Sequence, residues 1–340
     1  MSKKTKIPEV SIVVPIWNDA ESISPFLDTL LPLLDRSAPS YEIVFCVDPS
    51  DDETEVKVRE ISTNNQKLKA LFFSARAGQP ASTMAGLHHA SGSAVIVIDV
   101  DLQDPVELIP TMIDMWRQGE QLIIPRRIRR SGEPLSKKMT AAFGYYFLSK
   151  FGQAPIPRNT GDFRLMDKSV VKRVTSLNES HVFLRGLVAL ADQRPKYIDF
   201  ERPPRAIGKT KYNRWFGGIK SGLNGIVSYS TALLDFLLVI GFGMAMLSFG
   251  FGTKFAVEKL LGNNIPPGDA QLFVMVTFIG GMQLIGLGLI GLYVGRIYEE
   301  TKKRPRWFVR SQIGLLNVDI NDQARWQGKT VAETDNDHNS

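Results

Sequence analysis

The chain of 340 residues contains a single cysteine, Cys46. One thiol cannot form an intramolecular disulfide and cannot supply the several thiolates of a structural zinc site. Charged residues make up 22% and hydrophobic residues 44% of the chain, which excludes a wholly disordered or fibrous protein, and the length allows about two domains. No apolar segment follows the lysines at positions 3, 4 and 6, so we expect no secretory signal peptide.

The hydrophobic residues are unevenly distributed along the chain. Residues 231–253 contain one charged side chain, and residues 270–295 contain none. Each run exceeds the roughly 20 residues that cross a bilayer core, which favours two membrane spans over the alternative of two buried core helices. The second run contains a G-x-G-x-x-G spacing at Gly286–Gly291, but a membrane span is the wrong context for a dinucleotide site. We expect Gly291 and Gly295 to support close helix packing instead.

Basic residues flank both apolar runs. Arginine and lysine are concentrated in residues 201–225 and 296–310, whereas the loop between the runs is neutral. This positive-inside bias predicts a two-span integral membrane protein whose N-terminal domain and both termini are cytoplasmic. We predict a domain at 1–212, an interfacial amphipathic helix at 213–229, a transmembrane hairpin at 230–296 and a cytoplasmic tail at 297–340. A core-facing helix is the alternative for the amphipathic segment, and Trp307 is expected to be a further interfacial anchor.

The N-terminal domain alternates short β-branched runs with helix-length segments. Strands are predicted at 9–14, 41–47, 69–73, 94–98 and 121–124, and helices at 19–35, 52–64, 79–90 and 104–118. This alternation predicts an α/β fold with a largely parallel sheet that is covered on both faces. Ligands bind such sheets outside the carboxyl ends of the strands, so the polar residues that follow the strands are candidates for a site.

Acidic residues follow three of the predicted strands. Asp19 follows the first strand, Asp48 the second, and Asp99 and Asp101 the fourth. Acids that meet at one rim repel each other unless a cation lies among them, and an Asp-x-Asp pair suits Mg²⁺ or Mn²⁺. Solvated loop acids are the alternative. Residues 104–107 have the pattern of a helix-capping box, so their two acids are predicted to be structural.

Several motifs resemble those of the family-2 glycosyltransferases of GT-A fold. They are Pro15–Asp19, Asp48–Thr54, Asp99–Pro105, Gly161–Met166, Phe183–Gly186 and Arg205–Tyr212. With the two spans, they resemble the polyprenyl-phosphate group of that family, most of all the bactoprenol glucosyltransferases and also the dolichyl-phosphate mannosyltransferases. The resemblance covers residues 9 to about 310, whereas Val47, Pro49 and residues 75–78 depart from the family pattern.

The resemblance implies roles for the positions that match. The implied donor-nucleotide residues are Pro15, Asn18, Asp19, Asp48, Asp99 and Gln103. Asp101, supported by Asp99, would hold Mg²⁺ or Mn²⁺, and Asp162 matches the acid usually proposed as the catalytic base. Arg205 and Lys211 would contact the lipid phosphate or the diphosphate.

A dense basic run covers residues 126–138 and includes Arg126 and Arg129. We predict that this run attracts anionic lipid headgroups and the acceptor phosphate and covers the donor; a solvated loop is the alternative. We expect no nucleic-acid binding, because the chain combines membrane spans with no nucleic-acid module. His88 and His89 lie on a predicted helix and are expected to be structural rather than metal-binding.

The resemblance implies an inverting, metal-dependent transferase. It would move a hexose, glucose from UDP-glucose, to undecaprenyl or another polyprenyl phosphate at the cytoplasmic membrane face, as a homo-oligomer such as a tetramer. Mannose and aminoarabinose remain open as the sugar. A lipid phosphate is already anionic near pH 7, so it needs a general base less than a sugar hydroxyl does. Three roles for Asp162 therefore stay open: a base, a residue that orients the acceptor, or an ion-pair partner of Arg164.

Two other classes of function are weighed against this one. A processive polysaccharide synthase of the same fold carries a Gln-x-x-Arg-Trp motif, and neither Arg214-Trp215 nor Arg306-Trp307 has the glutamine. Two spans also make a poor polysaccharide channel. A membrane scaffold without activity is the non-enzymatic alternative, against which the intact acids argue.

Overall fold

A computed structural model of the chain describes residues 7–128, 159–177, 179, 182–192 and 194–201, scattered positions between 234 and 261, and residues 268–315. The predictions for Arg129, Arg205, Lys211 and the amphipathic helix at 213–229 lie outside the described residues. Within them, strands and helices alternate along the first part of the chain as predicted.

The elements are numbered in chain order. They are β1 (Val10–Ile16), α1 (Ala20–Ser37), β2 (Tyr41–Val47), α2 (Thr54–Asn64), β3 (Leu68–Phe73), α3 (Gln79–His89), β4 (Ala94–Val97), α4 (Ile109–Arg117), β5 (Leu122–Arg127), β6 (Arg164–Asp167), α5 (Lys168–Ser176), α6 (Leu184–Ala191), β7 (Lys196–Phe200), α7 (Asp269–Lys302) and β8 (Val309–Ile313).

The strands form one mixed sheet in the order β7-β5-β6-β4-β1-β2-β3-β8. β1 pairs in parallel with β2 and β4, and β2 pairs in parallel with β3. β6 is antiparallel to both β4 and β5, and β8 is antiparallel to β3. The predicted α/β class and the parallel centre of the sheet are confirmed, while β6 and β8 add antiparallel strands that were not predicted.

Both faces of the sheet are buried under helices. Side chains of α1, α2 and α4, such as Phe26 and Met112, pack on one face, and side chains of α3, α5 and α6, such as Met84 and Leu187, pack on the other. Burial of each such side chain contributes about 1.5–3 kcal/mol. Every residue of β1 and β2 is buried, which explains why these strands are continuous apolar runs without alternation.

The predicted capping box at 104–107 does not form. A single 3₁₀ turn at Val106–Leu108 precedes α4, and no side chain caps either element. Asp104 is buried and accepts a hydrogen bond from Arg127 Nη2 at 3.2 Å. The physical reason is that a buried carboxylate gains more from a cationic partner than from the weaker dipole of a short turn.

α7 carries the apolar character of the C-terminal part. Its segment Phe278–Lys302 is the one helix in the described part of the chain that is long and apolar enough to span a membrane. The large side chains of Leu284, Ile285 and Leu287 are exposed, unlike those of a core helix in a soluble domain. The described positions between 234 and 260 have helical backbone. The structure therefore supports one span and leaves the predicted hairpin as a proposal.

The chain after α7 returns to the sheet of the N-terminal domain. Lys303 ends the helix with a left-handed φ of 47°, and β8 then pairs with β3. The ring of Trp307 lies 5.6 Å from that of His88 and packs against the core. Trp307 thus packs against the domain core, its role as an interfacial anchor stays a prediction, and the predicted tail at 297–340 supplies a strand of the N-terminal domain.

Candidate active site

The loops after β1 and β2 are joined by hydrogen bonds at the carboxyl end of the sheet. The Asn18 backbone N–H donates to Ser50 Oγ at 3.1 Å, and the Asp51 N–H donates to Asn18 Oδ1 at 2.8 Å. The Asp19 N–H donates to Thr54 Oγ1 at 2.9 Å. The structure therefore places Asn18 and Asp19 at the predicted rim, where the Asn18 side chain helps to hold both loops together.

Pro15 lies inside β1 and ends its pairing with β4. Val13 O accepts a hydrogen bond from Ile98 N, so the odd-numbered positions of β1 direct their backbone polar groups towards β4. Pro15 has no N–H to donate on that side, and the last pair of the β1–β4 ladder is Val13 with Val97. The chain after β4 can therefore leave the sheet towards Asp99.

Asp48 anchors the turn that precedes α3. The residue is 2% exposed, and the two oxygens of its carboxylate accept hydrogen bonds from the N–H groups of Ala77 and Gly78, both at 2.9 Å. Gly78 has φ 83°, a conformation that glycine adopts without strain. The next residue, Gln79, donates from Nε2 to Asp99 Oδ1 at 2.8 Å. Asp48 thus holds the turn that carries Gln79 to the acidic loop.

Asp99, Asp101 and Gln103 lie together on the loop after β4. The Gln103 N–H donates to Asp101 Oδ1 at 3.1 Å, which closes a tight turn. Removal from bulk water, followed by the charges of Asp162, Asp104 and Asp101, raises the pKa of Asp99 to about 8. The acids of the loop after β4 and of the segment before β6 therefore lie close together in one acidic region.

Two arginines hold Asp162. Arg185 Nε donates to Asp162 Oδ1 at 3.0 Å, and Arg164 Nη2 lies 3.5 Å from the same oxygen. Arg164 is buried and also donates to the Gly161 and Asp162 carbonyls at 2.7 and 3.1 Å. Burial favours the neutral carboxyl, but the charges of Arg185 and Arg164 outweigh it and lower the pKa of Asp162. Asp162 is therefore an anion at neutral pH, which weakens it as a proton acceptor.

Arg126 and Arg127 point to different surroundings because side chains alternate along β5. Arg126 forms a bidentate pair with Asp199, with Nε–Oδ1 at 2.7 Å and Nη2–Oδ2 at 3.0 Å, on the exposed edge of the sheet. Arg127 instead reaches the acidic region, where it pairs with Asp104 and lies beside Gly161. The structure thus brings Arg127 next to Asp104, while the predicted role of Arg126 in binding the acceptor phosphate stays a prediction.

Trp17 and Arg76 form a stack at the same rim. The Arg76 guanidinium carbon lies 3.5 Å from the centroid of the Trp17 ring, a cation–π geometry. Trp17 follows β1 and Arg76 follows β3, so two strand ends meet there. From the sequence alone, Arg76 is only a departure from the family motif, Arg127 is included only as part of the basic run, and no role is assigned to Gln79 or Arg185. Strand alternation along β5 and the Phe183–Gly186 motif are the signals for Arg127 and Arg185.

The acids fit a divalent cation with open coordination positions. No group of three or more His, Cys, Asp or Glu side chains in the described ranges is arranged to hold a metal by itself. Mg²⁺ typically takes one or two protein carboxylates and completes its shell with water and substrate phosphate oxygens. Asp99 and Asp101, with oxygen donors only and with Gln79 orienting Asp99, match that requirement.

Comparison with known proteins identifies the family. Residues 11–175 match glycosyl transferase family 2. The chain is 36% identical over 304 residues to the bactoprenol glucosyl transferase of Shigella phage SfV, covering 89% of this chain and 99% of that protein. It is 38% identical over 308 residues to an uncharacterized glycosyltransferase of Synechocystis, covering 90% and 96%.

Among solved structures, the chain is similar to the Mycobacterium tuberculosis glucosyl-3-phosphoglycerate synthase crystallised with Mn²⁺, UDP-glucose and glycerol 3-phosphate. The TM-score is 0.47 at 18% identity, over 65% of this chain and 79% of that one. On the family match and the full-length relatives, the chain belongs to glycosyl transferase family 2 and is a glycosyltransferase. Within that family it falls in the polyprenyl-phosphate group.

Proposed function

We propose that the protein transfers glucose from UDP-glucose to the phosphate of undecaprenyl or a related polyprenyl carrier, with inversion at the anomeric carbon. The observation that carries this proposal is that Asp99, Asp101 and Asp162 lie close together at the carboxyl end of the sheet. That position is where α/β sheets bind their ligands. The chain also aligns with a bactoprenol glucosyl transferase over 99% of that protein's length.

The donor nucleotide would lie across the ends of β1, β2 and β3. Asn18 and Asp19 form the rim there, Asp48 holds the turn before α3, and Trp17 offers an aromatic face backed by Arg76. Mg²⁺ or Mn²⁺ on Asp101 and Asp99 would supply neutralising charge to the diphosphate leaving group. The cationic Arg127 pairs with the neighbouring Asp104 and would add positive charge close to the leaving group.

The chemical step requires little proton transfer. An oxygen of the lipid phosphate attacks the anomeric carbon as the bond from that carbon to the UDP oxygen breaks, and UDP leaves with the bonding electron pair. The second pKa of a phosphate monoester is about 6, so the nucleophile is already an anion. Asp162, held ionised by Arg185 and Arg164, would then orient the cationic groups that meet the acceptor phosphate.

The membrane part of the proposal is a hairpin with the catalytic domain on the cytoplasmic face. The exposed apolar surface of α7 favours a nonpolar environment, and its candidate span of 25 residues is about 37 Å long. A Cβ on Gly286 would lie 2.9 Å from Leu237 Cδ2, so helical residues of the first apolar run approach α7 closely. Among the described residues nothing lies within 4 Å of such a Cβ at Gly291 or Gly295, which leaves that face for another protomer of a homo-oligomer.

The experiment is a transfer assay with purified full-length protein, labelled UDP-glucose, Mg²⁺ and undecaprenyl phosphate. We expect label in an organic-extractable glycolipid, loss of that label with EDTA, and loss in Asp101→Ala. Asp114→Ala is the matched control, because Asp114 is an exposed acid on α4. Label from UDP-linked mannose or another sugar in place of glucose would overturn the donor assignment. Label only in polysaccharide or free glucose would overturn the lipid acceptor.

A further inference from the structure

α6 brings Arg185 to the acidic region from outside the sheet. Leu184, Leu187 and Val188 anchor this helix in the core, and Arg185, one residue past the first anchor, faces the site. Its side chain is 31% exposed and donates from Nε to Asp162 Oδ1 at 3.0 Å. Arg185 thus places a positive charge at the edge of the acidic region, and it is carried by a helix and not by a strand of the sheet.

Arg164 and Arg185 act differently on Asp162. Arg164 donates to the carbonyls of residues 161 and 162 and lies 3.5 Å from the carboxylate, so it mainly shapes the backbone. Arg185 makes the direct hydrogen bond to the carboxylate. This charge-assisted hydrogen bond limits rotation of the Asp162 side chain.

We propose that Arg185 is a positioning residue for glycosyl transfer: its hydrogen bond holds the Asp162 carboxylate in the orientation that transfer to the acceptor requires. The inference rests on the proposed function and assigns to Arg185 a role that the family motifs did not. Because Arg185 acts through Asp162 and not through the nucleotide loops, its loss lowers kcat while the KM for UDP-glucose stays near the wild-type value.

The chain offers a matched control in an arginine that contacts the other end of α6. Arg173 of α5 pairs with Asp192 at the far end of α6, with Nη2–Oδ2 at 3.7 Å, and donates to Ala191 O at 3.0 Å. Arg173→Ala therefore removes an arginine that anchors α6 without touching Asp162. In full-length protein with UDP-glucose and undecaprenyl phosphate, we expect Arg185→Ala to lower kcat about 10- to 100-fold and Arg173→Ala to leave kcat within about twofold.

Two further measurements separate positioning from folding. Arg185→Lys keeps the charge but loses the planar fork, so it should recover part of the lost kcat, and added guanidinium at non-denaturing concentration should raise the kcat of Arg185→Ala alone. In an Asp162→Asn background, Arg185→Ala should cost little more, because both changes remove the same contact.

The possible outcomes distinguish failure of the proposed function from failure of the positioning role. If the wild type makes no glycolipid, the proposed function fails. If the wild type is active but Arg185→Ala keeps its kcat, or if the losses from Arg185→Ala and Asp162→Asn simply multiply, the positioning role is wrong while the proposed function stands. A melting temperature that falls equally in Arg185→Ala and Arg173→Ala, with equal loss of kcat, would reduce Arg185 to a structural anchor.

Discussion

Replacing Asp48 by asparagine tests how the nucleotide rim is built. The buried carboxylate accepts two backbone N–H groups at 2.9 Å, and an asparagine amide would set an N–H₂ group against one of them. A hydrogen bond to a charged group contributes about 1.5–3 kcal/mol. For a domain of this size, that loss lowers the melting temperature by roughly 3–12 °C. The turn would also release Gln79 from Asp99, so UDP affinity should fall as well.

The assay is a thermal melt of Asp48→Asn with and without UDP and Mg²⁺, together with a direct UDP-binding titration. Asp51→Asn is the control, because this exposed acid of the same loop uses only its backbone N–H in the described contacts to Asn18. An unchanged melting temperature in the absence of UDP, with UDP affinity lost, would refute the reasoning. It would mean that Asp48 contacts the base and does not hold the turn.

Two further predictions concern the folded state. Gly86→Ala should destabilise the domain by about 1–3 kcal/mol in denaturant unfolding, because the new Cβ would collide with Val13 and lie 2.7 Å from Cys46 Sγ. Gly280→Ala should leave the stability unchanged, because its Cβ meets open space among the described residues. Equal stability of the two variants would contradict the packing described for Gly86. Burial raises the pKa of Glu42, but hydrogen bonds from Lys69 and two serines lower it by more, so the net pKa lies below its usual value. The ionised carboxylate therefore stabilises the fold at pH values above the unfolded pKa of about 4.3. This contribution is lost as the pH falls through the folded pKa. Glu42→Gln should therefore unfold more easily than wild type at pH 7 and approach it below pH 4; a constant difference across that range would disprove the linkage.

The central strands could be predicted because they are buried on both faces. β1 and β2 are buried at every position, so their apolar, β-branched runs stand out from the sequence. β6 was missed because it has four residues and begins with Arg164, a buried arginine whose partners are backbone carbonyls and Asp162. β8 was missed because it is an edge strand with mixed polarity and pairs with a strand more than 200 residues earlier.

The site shows the same division between local and long-range information. The acids after β1, β2 and β4 were predicted because each strand end is local in sequence. Which arginine of the basic run faces them depends on the phase of β5, which the sequence analysis did not assign: Arg127 reaches Asp104 and Arg126 pairs with Asp199. Trp307 was read from its basic neighbours, whereas its contact with His88 follows from the return of the chain after α7.

The central claim is that an anionic lipid phosphate is the acceptor, so that no strong general base is needed. The direct measurement compares undecaprenyl phosphate with undecaprenol as acceptors for the purified full-length protein and labelled UDP-glucose. With Asp162 paired to Arg185 and its pKa lowered, we predict labelled product from the phosphate and none from the alcohol. Equal labelling of undecaprenol would contradict the account, because an alcohol acceptor needs a base that the lowered pKa of Asp162 does not provide.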